Sequence, residues 1–286
     1  MNAILLLVGL VGLFAGGEAL VRGAVGIARR LAIPPLLIGL TVVGFGTSTP
    51  ELVVSIDAAL RNAPDIALGN VVGSNIANIL LIVGLSAIVW PIRVSGATLG
   101  RDTGVMLAAA IILLPLFWLD SLNRMAGAAL LIALAGFILW AYLAPGEEEA
   151  TGGAEPSMHI GRALVWVAGG LAALMVGADL LVEGAVGIAR SLGISEAFIG
   201  LTVVAVGTSL PELATSLIAA FRRHSEIAIG NVVGSNIFNV LGILGATALI
   251  APIPVAPRFL AFDLPVMIAV SAVLTALLLL RPTIGR

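Results

Sequence analysis

The sequence predicts an all-α polytopic membrane protein built from two inverted repeats, and three observations support this prediction. Of the 286 residues, 60% are hydrophobic and only 10% are charged, whereas a soluble domain carries about 25% charged residues. Apolar runs long enough to cross a bilayer recur along the chain. A segment of the first half also recurs in the second half. This composition excludes a soluble globule, and the lack of cysteine and of basic tracts argues against a disulfide framework and against nucleic-acid binding.

Nine apolar runs are the candidate membrane-spanning helices. They are too long and too uniformly apolar to be the strands of a membrane barrel. The candidate spans cover residues 3–29, 36–60, 66–90, 100–119, 125–144, 161–189, 197–221, 227–250 and 259–280. We therefore expect five helices in residues 1–144, a linker at 145–160 and four helices in residues 161–286.

The arginines predict the orientation of the chain, because short cytoplasmic loops carry an excess of positive charge. With the N-terminus outside, ten arginines lie on the cytoplasmic side and four lie outside. The cytoplasmic set is Arg22, Arg29, Arg30, Arg93, Arg101, Arg162, Arg222, Arg223, Arg281 and Arg286, and the outer set is Arg61, Arg124, Arg190 and Arg258. We expect a multi-pass protein of the cell (inner) membrane with its N-terminus outside.

The segment between the two halves is predicted to be a flexible cytoplasmic linker. It carries Glu147, Glu148, Glu149 and Glu155 together with several glycines. Such a composition is typical of a solvated connection rather than of a packed element. An acidic loop that senses ions is the alternative.

An internal duplication is the strongest feature of the sequence. Residues 39–84 align with residues 200–245 without a gap, at a fixed offset of 161, and 29 of the 46 positions are identical. The two copies are five helices apart, so the second copy enters the membrane from the opposite side. Inverted repeats are typical of secondary transporters, whose ion site lies near the bilayer midplane between the halves. A channel can carry the same symmetry.

The first repeated motif predicts a break in a membrane helix. It runs from Gly44 to Glu51 and from Ala205 to Glu212, and both copies contain Gly-Thr-Ser-x-Pro-Glu. Proline lacks a backbone donor and disfavours helix in the residue before it. We expect the helix to break at the Gly-Thr-Ser and to restart at the proline. The carbonyl groups freed there need a partner from the protein or from a bound ion.

The second repeated motif is expected to interrupt its helix as well. It reads Gly-Asn-Val-Val-Gly-Ser-Asn-Ile-x-Asn and occupies residues 69–78 and 230–239. Ser74 and Asn78 are four residues apart, so they share one helical face, and the same holds for the second copy. Together the two motifs place hydroxyl and amide groups in the middle of four apolar spans.

Two glutamates decide the expected chemistry. Glu51 and Glu212 lie near the middle of apolar spans, where an uncompensated acidic side chain costs about 3 kcal/mol. The arginines lie near helix ends, so a cation is the natural partner of these carboxylates. Oxygen ligands of this kind suit Ca²⁺ and also Na⁺, and the lack of cysteine and the presence of only two histidines, His159 and His224, argue against a soft-metal site. A protonated or helix-paired structural carboxylate is the alternative.

The paired motifs resemble the two alpha-repeats of the sodium/calcium exchanger branch of the cation/calcium antiporter superfamily, of the prokaryotic type. The resemblance covers roughly residues 10–280. It implies ten helices in two inverted halves of five, and exchange of sodium for calcium by alternating access. The sequence ends at Arg286, where the last helix of the second half would begin, so that helix is expected to be missing here.

The resemblance also implies a metal site, with Glu51 and Glu212 as central ligands shared between calcium and sodium. The other implied ligands are Thr47, Thr208, Ser48, Ser209, Ser74, Ser235, Asn78, Asn239, Gly44 and Ala205. Potassium-dependent relatives use an acid at the position of Asn239. Asparagine at both Asn78 and Asn239 leaves two central carboxylates, which resembles the potassium-independent kind. The expected partners are Ca²⁺, Na⁺ and the lipid bilayer. We expect no cofactor and no catalytic residue, and a monomer.

Other functions stay open at this point. A proton-coupled exchanger of calcium or another divalent cation is the main alternative, although Gly73-Ser74 and Gly234-Ser235 replace the glutamate-bearing motif typical of proton/calcium exchangers. A cation channel would use the same oxygen atoms but needs a continuous pore. An intramembrane enzyme would need a nucleophile with a base, or a metal motif, and no His-Glu-x-x-His is present.

Overall fold

The computed structural model describes residues 1–93, 97–143, 158–193, 205–281 and 283–285. Within these ranges helices follow all nine apolar runs of the sequence. Seven described helices are long and apolar enough to cross a membrane, and one bent pair of helices, Pro35–Thr47 with Thr49–Leu60, is long and apolar enough when the two are taken together. The seventh run, 197–221, is described from residue 205 onward. Most of the expected linker, residues 145–157, lies outside the described residues.

The helices of the first half follow its five expected spans. They are α1 (Asn2–Leu31), α2 (Pro35–Ile38), α3 (Gly44–Thr47), α4 (Thr49–Leu60), α5 (Pro64–Ala77), α6 (Gly84–Val89), α7 (Ala97–Phe117) and α8 (Arg124–Leu143). Two π-helical turns, Gly39–Val43 and Asn78–Val83, carry α2 into α3 and α5 into α6.

The described helices of the second half follow the order of their counterparts in the first half, up to the counterpart of α7. They are α9 (Ile160–Ser191), α10 (Ala205–Gly207), α11 (Leu210–Phe221), α12 (Ser225–Ile237), α13 (Leu244–Ile250) and α14 (Leu264–Leu280). A π-helical turn at Phe238–Ile243 carries α12 into α13, and another at Phe259–Asp263 precedes α14.

Two short strand pairs join the halves outside the helices. Ile92–Arg93 pairs antiparallel with Thr283–Ile284, and Ser121–Leu122 pairs antiparallel with Ile253–Pro254. The first pair lies before α7 in the chain and the second lies just after it, so the two pairs lie at opposite ends of that helix. They connect the ends of helices and leave the expected all-helical membrane region unchanged.

The predicted break in the first motif is confirmed. The helix ends at Thr47, Ser48 adopts φ −82° and ψ 9°, and α4 begins at Thr49 with proline in its first turn. The axes on the two sides of the break differ by 44°. The restart comes one residue before Pro50, because a proline fits any position of a first turn, where no backbone donor is needed. Ser209 has nearly the same backbone angles before α11.

The predicted interruption in the second motif is wrong. The span Pro64–Val89 is one continuous helix, and so is Ser225–Ile250. Each contains a π-helical turn near its middle, which widens the helix without ending it. Neither span has a proline beyond its first turn. Glycine and asparagine alone do not remove a backbone donor, so the helical hydrogen bonds persist.

The Ser225–Ile250 span is almost wholly buried by the rest of the protein, whereas Asn2–Leu31, Arg124–Leu143, Ile160–Ser191 and Phe259–Leu280 bury a third of their residues or less. The outward surface of the helices is apolar, with exposed side chains such as Leu80, Ile132 and Phe262. A helix that is apolar on its outer face suits contact with lipid. The polar motifs therefore lie at the centre of the helical assembly, away from the bilayer.

The long helices α1 and α9 pack backbone against backbone through glycines. A Cβ atom built on Gly16 would lie 2.7 Å from the Leu174 nitrogen, and one built on Gly170 would lie 2.6 Å from the Leu20 nitrogen. Small residues allow such close crossings of membrane helices. A salt bridge also joins α1 to the end of α11, since Glu18 on α1 binds Nη2 of Arg222, the residue after α11, at 2.8 Å.

We expect Gly170→Leu to separate α1 from α9 and to destabilise the folded protein by about 2 kcal/mol, as overpacking does in other cores. Gly169→Leu is the matched control, because a Cβ on Gly169 meets no atom within 4 Å. Thermal unfolding in detergent, followed by tryptophan fluorescence, measures both variants. An equal melting temperature for the two would contradict the close packing of these helices.

Candidate cation site

The helix breaks bring the two buried glutamates into the first turns of α4 and α11. Glu51 and Glu212 are each 1% exposed. Each accepts a hydrogen bond from the opposite half: Ser48 Oγ donates to Glu212 Oε1 at 2.8 Å, and Ser209 Oγ donates to Glu51 Oε1 at 3.4 Å. The crossed bonds place both carboxylates at the interface of the two repeats. A helix N-terminus favours negative charge at such a position.

Four acceptor oxygens in this region are buried without a hydrogen-bond partner. They are Glu51 Oε2, Glu212 Oε2, Asn78 Oδ1 and Asn239 Oδ1, which form two symmetric pairs. Leaving a buried acceptor unsatisfied costs free energy, and native proteins rarely do so without a reason. A cation satisfies several acceptors at once and brings no donor of its own. The unpartnered oxygens therefore mark a candidate cation site.

Hydroxyl and carbonyl oxygens surround these acceptors. Ser74 Oγ and Ser209 Oγ lie 3.5 Å apart, and Ser235 Oγ donates to the Gly44 carbonyl at 3.1 Å. The same carbonyl accepts from the Ser48 nitrogen at 3.2 Å and from Thr47 Oγ1 at 3.3 Å. The carbonyl freed by the break thus has protein donors, and a cation would have to displace at least the Ser235 hydroxyl from it.

The first asparagine of the second motif holds each broken helix in place. Asn70 Nδ2 donates to the Glu51 carbonyl at 3.0 Å and to the serine hydroxyl one turn later at 2.9 Å. Asn231 Nδ2 repeats this with the Glu212 carbonyl at 3.2 Å and with the corresponding serine at 2.8 Å. Sequence reasoning did not single out these two asparagines. Their identity in both copies of the motif was the available signal.

Four asparagine amides form a second symmetric cluster. Asn78 Nδ2 donates to Asn236 Oδ1 at 2.9 Å, and Asn239 Nδ2 donates to Asn75 Oδ1 at 2.9 Å. Asn75 and Asn236 in turn donate to each other's backbone carbonyls at 3.2 and 3.3 Å. All four side chains are at most 3% exposed. The cluster crosses between the repeats, as the serine–glutamate bonds do.

The structure gathers most of the residues that the sequence selected. The buried ones are Thr47, Ser48, Glu51, Ser74, Asn78, Ser209, Glu212, Ser235 and Asn239. Thr208 is half-buried, Gly44 is the first residue of α3, and Ala205 is the first residue of α10. In the described part of the chain, no three acidic, imidazole or thiol side chains gather into a metal cluster. The site therefore depends on two carboxylates and on neutral oxygens.

Known proteins show the same chain organisation. The family model described as sodium/calcium exchanger protein matches residues 1–143 and 162–285. The putative antiporter CaxA of Alkalimonas amylolytica is 42% identical over 99% of this chain and 90% of its own length. The sodium/calcium exchanger MaX1 of Methanosarcina acetivorans is 36% identical over 96% of this chain and 90% of its own.

A solved structure agrees with these sequences. The sodium-calcium exchanger NCX_Mj, soaked with Na⁺ and Sr²⁺, superposes with a TM-score of 0.86 at 36% identity, over 100% of this chain and 92% of that chain. This match confirms the expected fold class of a helical membrane protein with inverted repeats. The protein is an antiporter of the cation/calcium type and not an enzyme, and the chain belongs to the sodium/calcium exchanger protein family.

Proposed function

We propose that the protein exchanges Na⁺ for Ca²⁺ across the membrane by alternating access, without a requirement for K⁺. The observation that carries this proposal is the set of four buried, unpartnered oxygens of Glu51, Glu212, Asn78 and Asn239. Two carboxylates balance the charge of one Ca²⁺, and neutral amide oxygens add to its coordination. Hard oxygen ligands of these types suit Ca²⁺ and Na⁺.

The neighbouring oxygens are the proposed sodium ligands. Sodium ions would use the glutamates in turn with calcium and would also bind at flanking positions. The flanking ligands are the hydroxyls of Thr47, Thr208, Ser48, Ser209, Ser74 and Ser235 and the carbonyls of Gly44 and Ala205. In the structure Ser48 and Ser209 donate to the carboxylates, so binding requires their hydroxyl hydrogens to turn away from the ion. One chain supplies the whole set, so a monomer suffices.

The sodium and calcium fluxes are coupled because both ions bind the same two glutamates. Like charges crowded into a site of low dielectric constant repel strongly, so calcium and the full set of sodium ions exclude each other. An empty site with two uncompensated carboxylates is unfavourable to carry through the membrane, because buried charge without a partner is costly. Only loaded forms therefore move between the two sides, and the flux of one ion depends on the other. The halves 1–144 and 161–286 would provide the two sides of this movement.

Independence from potassium rests on the amides at the centre. Asn78 and Asn239 are neutral, so the site has two carboxylates and no third negative charge beside them in the described residues. An additional monovalent cation has no charge to balance once Ca²⁺ is bound. This supports exchange of calcium for sodium alone.

We expect purified protein in sodium-loaded liposomes to take up radiolabelled calcium only when an outward sodium gradient is present, with K⁺ or choline unable to replace sodium. Glu51→Gln and Glu212→Gln should each abolish this uptake, because one neutralised carboxylate leaves the bound Ca²⁺ with an unbalanced charge. Asp57→Asn is the matched control on α4. Asp57 is 56% exposed and pairs with Arg61 at 2.7 Å, away from the site.

The other outcomes separate the alternatives. Uptake that follows a pH gradient and ignores sodium would show a proton-coupled exchanger. Uptake down a calcium gradient with no counter-ion would show a channel. A need for potassium would overturn the role given to the central asparagines, and full activity of either glutamine variant would remove the proposed site.

We also propose that the N-terminus lies outside the cell membrane, on the strength of the arginine distribution. The native chain has no cysteine, so single cysteines report the side of the membrane directly. Leu119→Cys and Leu143→Cys replace exposed residues that follow α7 and end α8. In spheroplasts, whose inner membrane is intact and accessible, a membrane-impermeant maleimide should label the cysteine at 119. It should label the cysteine at 143 only after the membrane is permeabilised. The reverse pattern would invert the topology.

A further inference from the structure

We propose that Asn75 and Asn236 are positioning residues, which hold the amides of Asn78 and Asn239 in the orientation that presents their oxygens to the transported cation. This inference rests on the proposed function of the site. Neither residue belongs to the ligand set that the sequence resemblance implies. They act through their neighbours and need not touch the ion.

The orientation of each ligand amide is set by one bond across the repeat interface. Asn78 Nδ2 donates to Asn236 Oδ1 at 2.9 Å, and Asn239 Nδ2 donates to Asn75 Oδ1 at 2.9 Å. With the nitrogen engaged in this way, Asn78 Oδ1 and Asn239 Oδ1 are left buried without a partner. An amide held by its donor end presents its acceptor end to whatever lies opposite.

The positioning amides are themselves unable to turn over. Asn75 Nδ2 donates to the Asn236 carbonyl at 3.2 Å, and Asn236 Nδ2 donates to the Asn75 carbonyl at 3.3 Å. Asn236 also donates to Met106 Sδ at 3.7 Å. A flip of either amide would put its oxygen against a carbonyl oxygen and its NH₂ against the NH₂ of a ligand asparagine. Both residues are at most 3% exposed, so water cannot compensate for such a clash.

The unpartnered amide oxygens of Asn78 and Asn239 lie on elements that pack against the helices carrying the two glutamates. Asn78 begins the π-helical turn Asn78–Val83, which contacts α11, the helix that carries Glu212. Asn239 lies in the turn Phe238–Ile243, which contacts α4, the helix that carries Glu51. Each ligand amide thus lies on an element that packs against the helix carrying the carboxylate of the other repeat. An amide turned the wrong way would present two N–H groups to a cation, which repel it.

A double-mutant cycle tests this role. Asn236→Leu removes the acceptor of Asn78 and should weaken calcium binding about tenfold, since that amide becomes free to present its NH₂. In an Asn78→Asp background the same leucine should not weaken binding, because a carboxylate has oxygen at both ends, cannot be misoriented, and would be relieved of a repulsive contact with Asn236 Oδ1. Equilibrium dialysis of purified protein against radiolabelled calcium measures all four forms.

The symmetric cycle of Asn75→Leu with Asn239→Asp provides an independent second measurement. Should a leucine variant fail to fold, Asn75→Ser removes the acceptor and keeps a hydroxyl donor for the Asn236 carbonyl. Thermal unfolding in detergent accompanies each binding measurement. A loss of calcium affinity that is equal in both backgrounds would show that these asparagines serve packing alone, and it would overturn the inference.

Failure of the proposed function has a different signature. In that case the wild-type protein itself would not bind calcium, or Glu51→Gln would bind it as well as the wild type. Calcium binding that depends on both glutamates but is unchanged by Asn236→Leu would leave the function intact and refute only the positioning role.

Discussion

Two carboxylates buried at membrane depth are the constraint on which the rest of the structure depends. Glu51 and Glu212 are each 1% exposed, and one oxygen of each has no partner. Charge in such a place must be met by oriented dipoles or by a cation. The helix breaks supply first-turn amides and a serine hydroxyl from the opposite repeat, and one oxygen of each carboxylate is still unpartnered. In the proposed function a transported cation binds these oxygens, so binding and transport depend on the same groups.

The duplication places the same polar motifs in both repeats, and the side chains of each repeat bond to the other repeat. The bonds of Ser48 to Glu212 and of Ser209 to Glu51 cross from one repeat to the other, and so do the amides of Asn75 and Asn236. Neither repeat completes its own site. An assembly of this kind keeps its centre fixed through buried polar bonds, while glycine contacts allow α1 and α9 to lie together at the periphery.

Some of this was predictable because it depends on local chemistry. Proline disfavours helix in the residue before it, so the break beside Thr47 follows from local geometry, and a carboxylate in an apolar span needs a partner in any fold. The expected interruption of the second motif was wrong, because glycine and asparagine permit a break without requiring it. The roles of Asn70 and Asn231 were missed, since a side chain's bond to a carbonyl nineteen residues away depends on how two helices pack.

The sequence by itself determined the membrane class, the inverted duplication, the broken helix and the pair of acidic residues, because periodicity, proline geometry and the cost of buried charge act along the chain. Only the tertiary structure decided which hydroxyl meets which carboxylate and which amide oxygens stay free. Asn75 and Asn78 are the same residue type in one motif, yet the side-chain oxygen of Asn78 has no partner and that of Asn75 accepts a hydrogen bond. That difference arises from contacts with residues more than 150 positions distant, which no local pattern encodes.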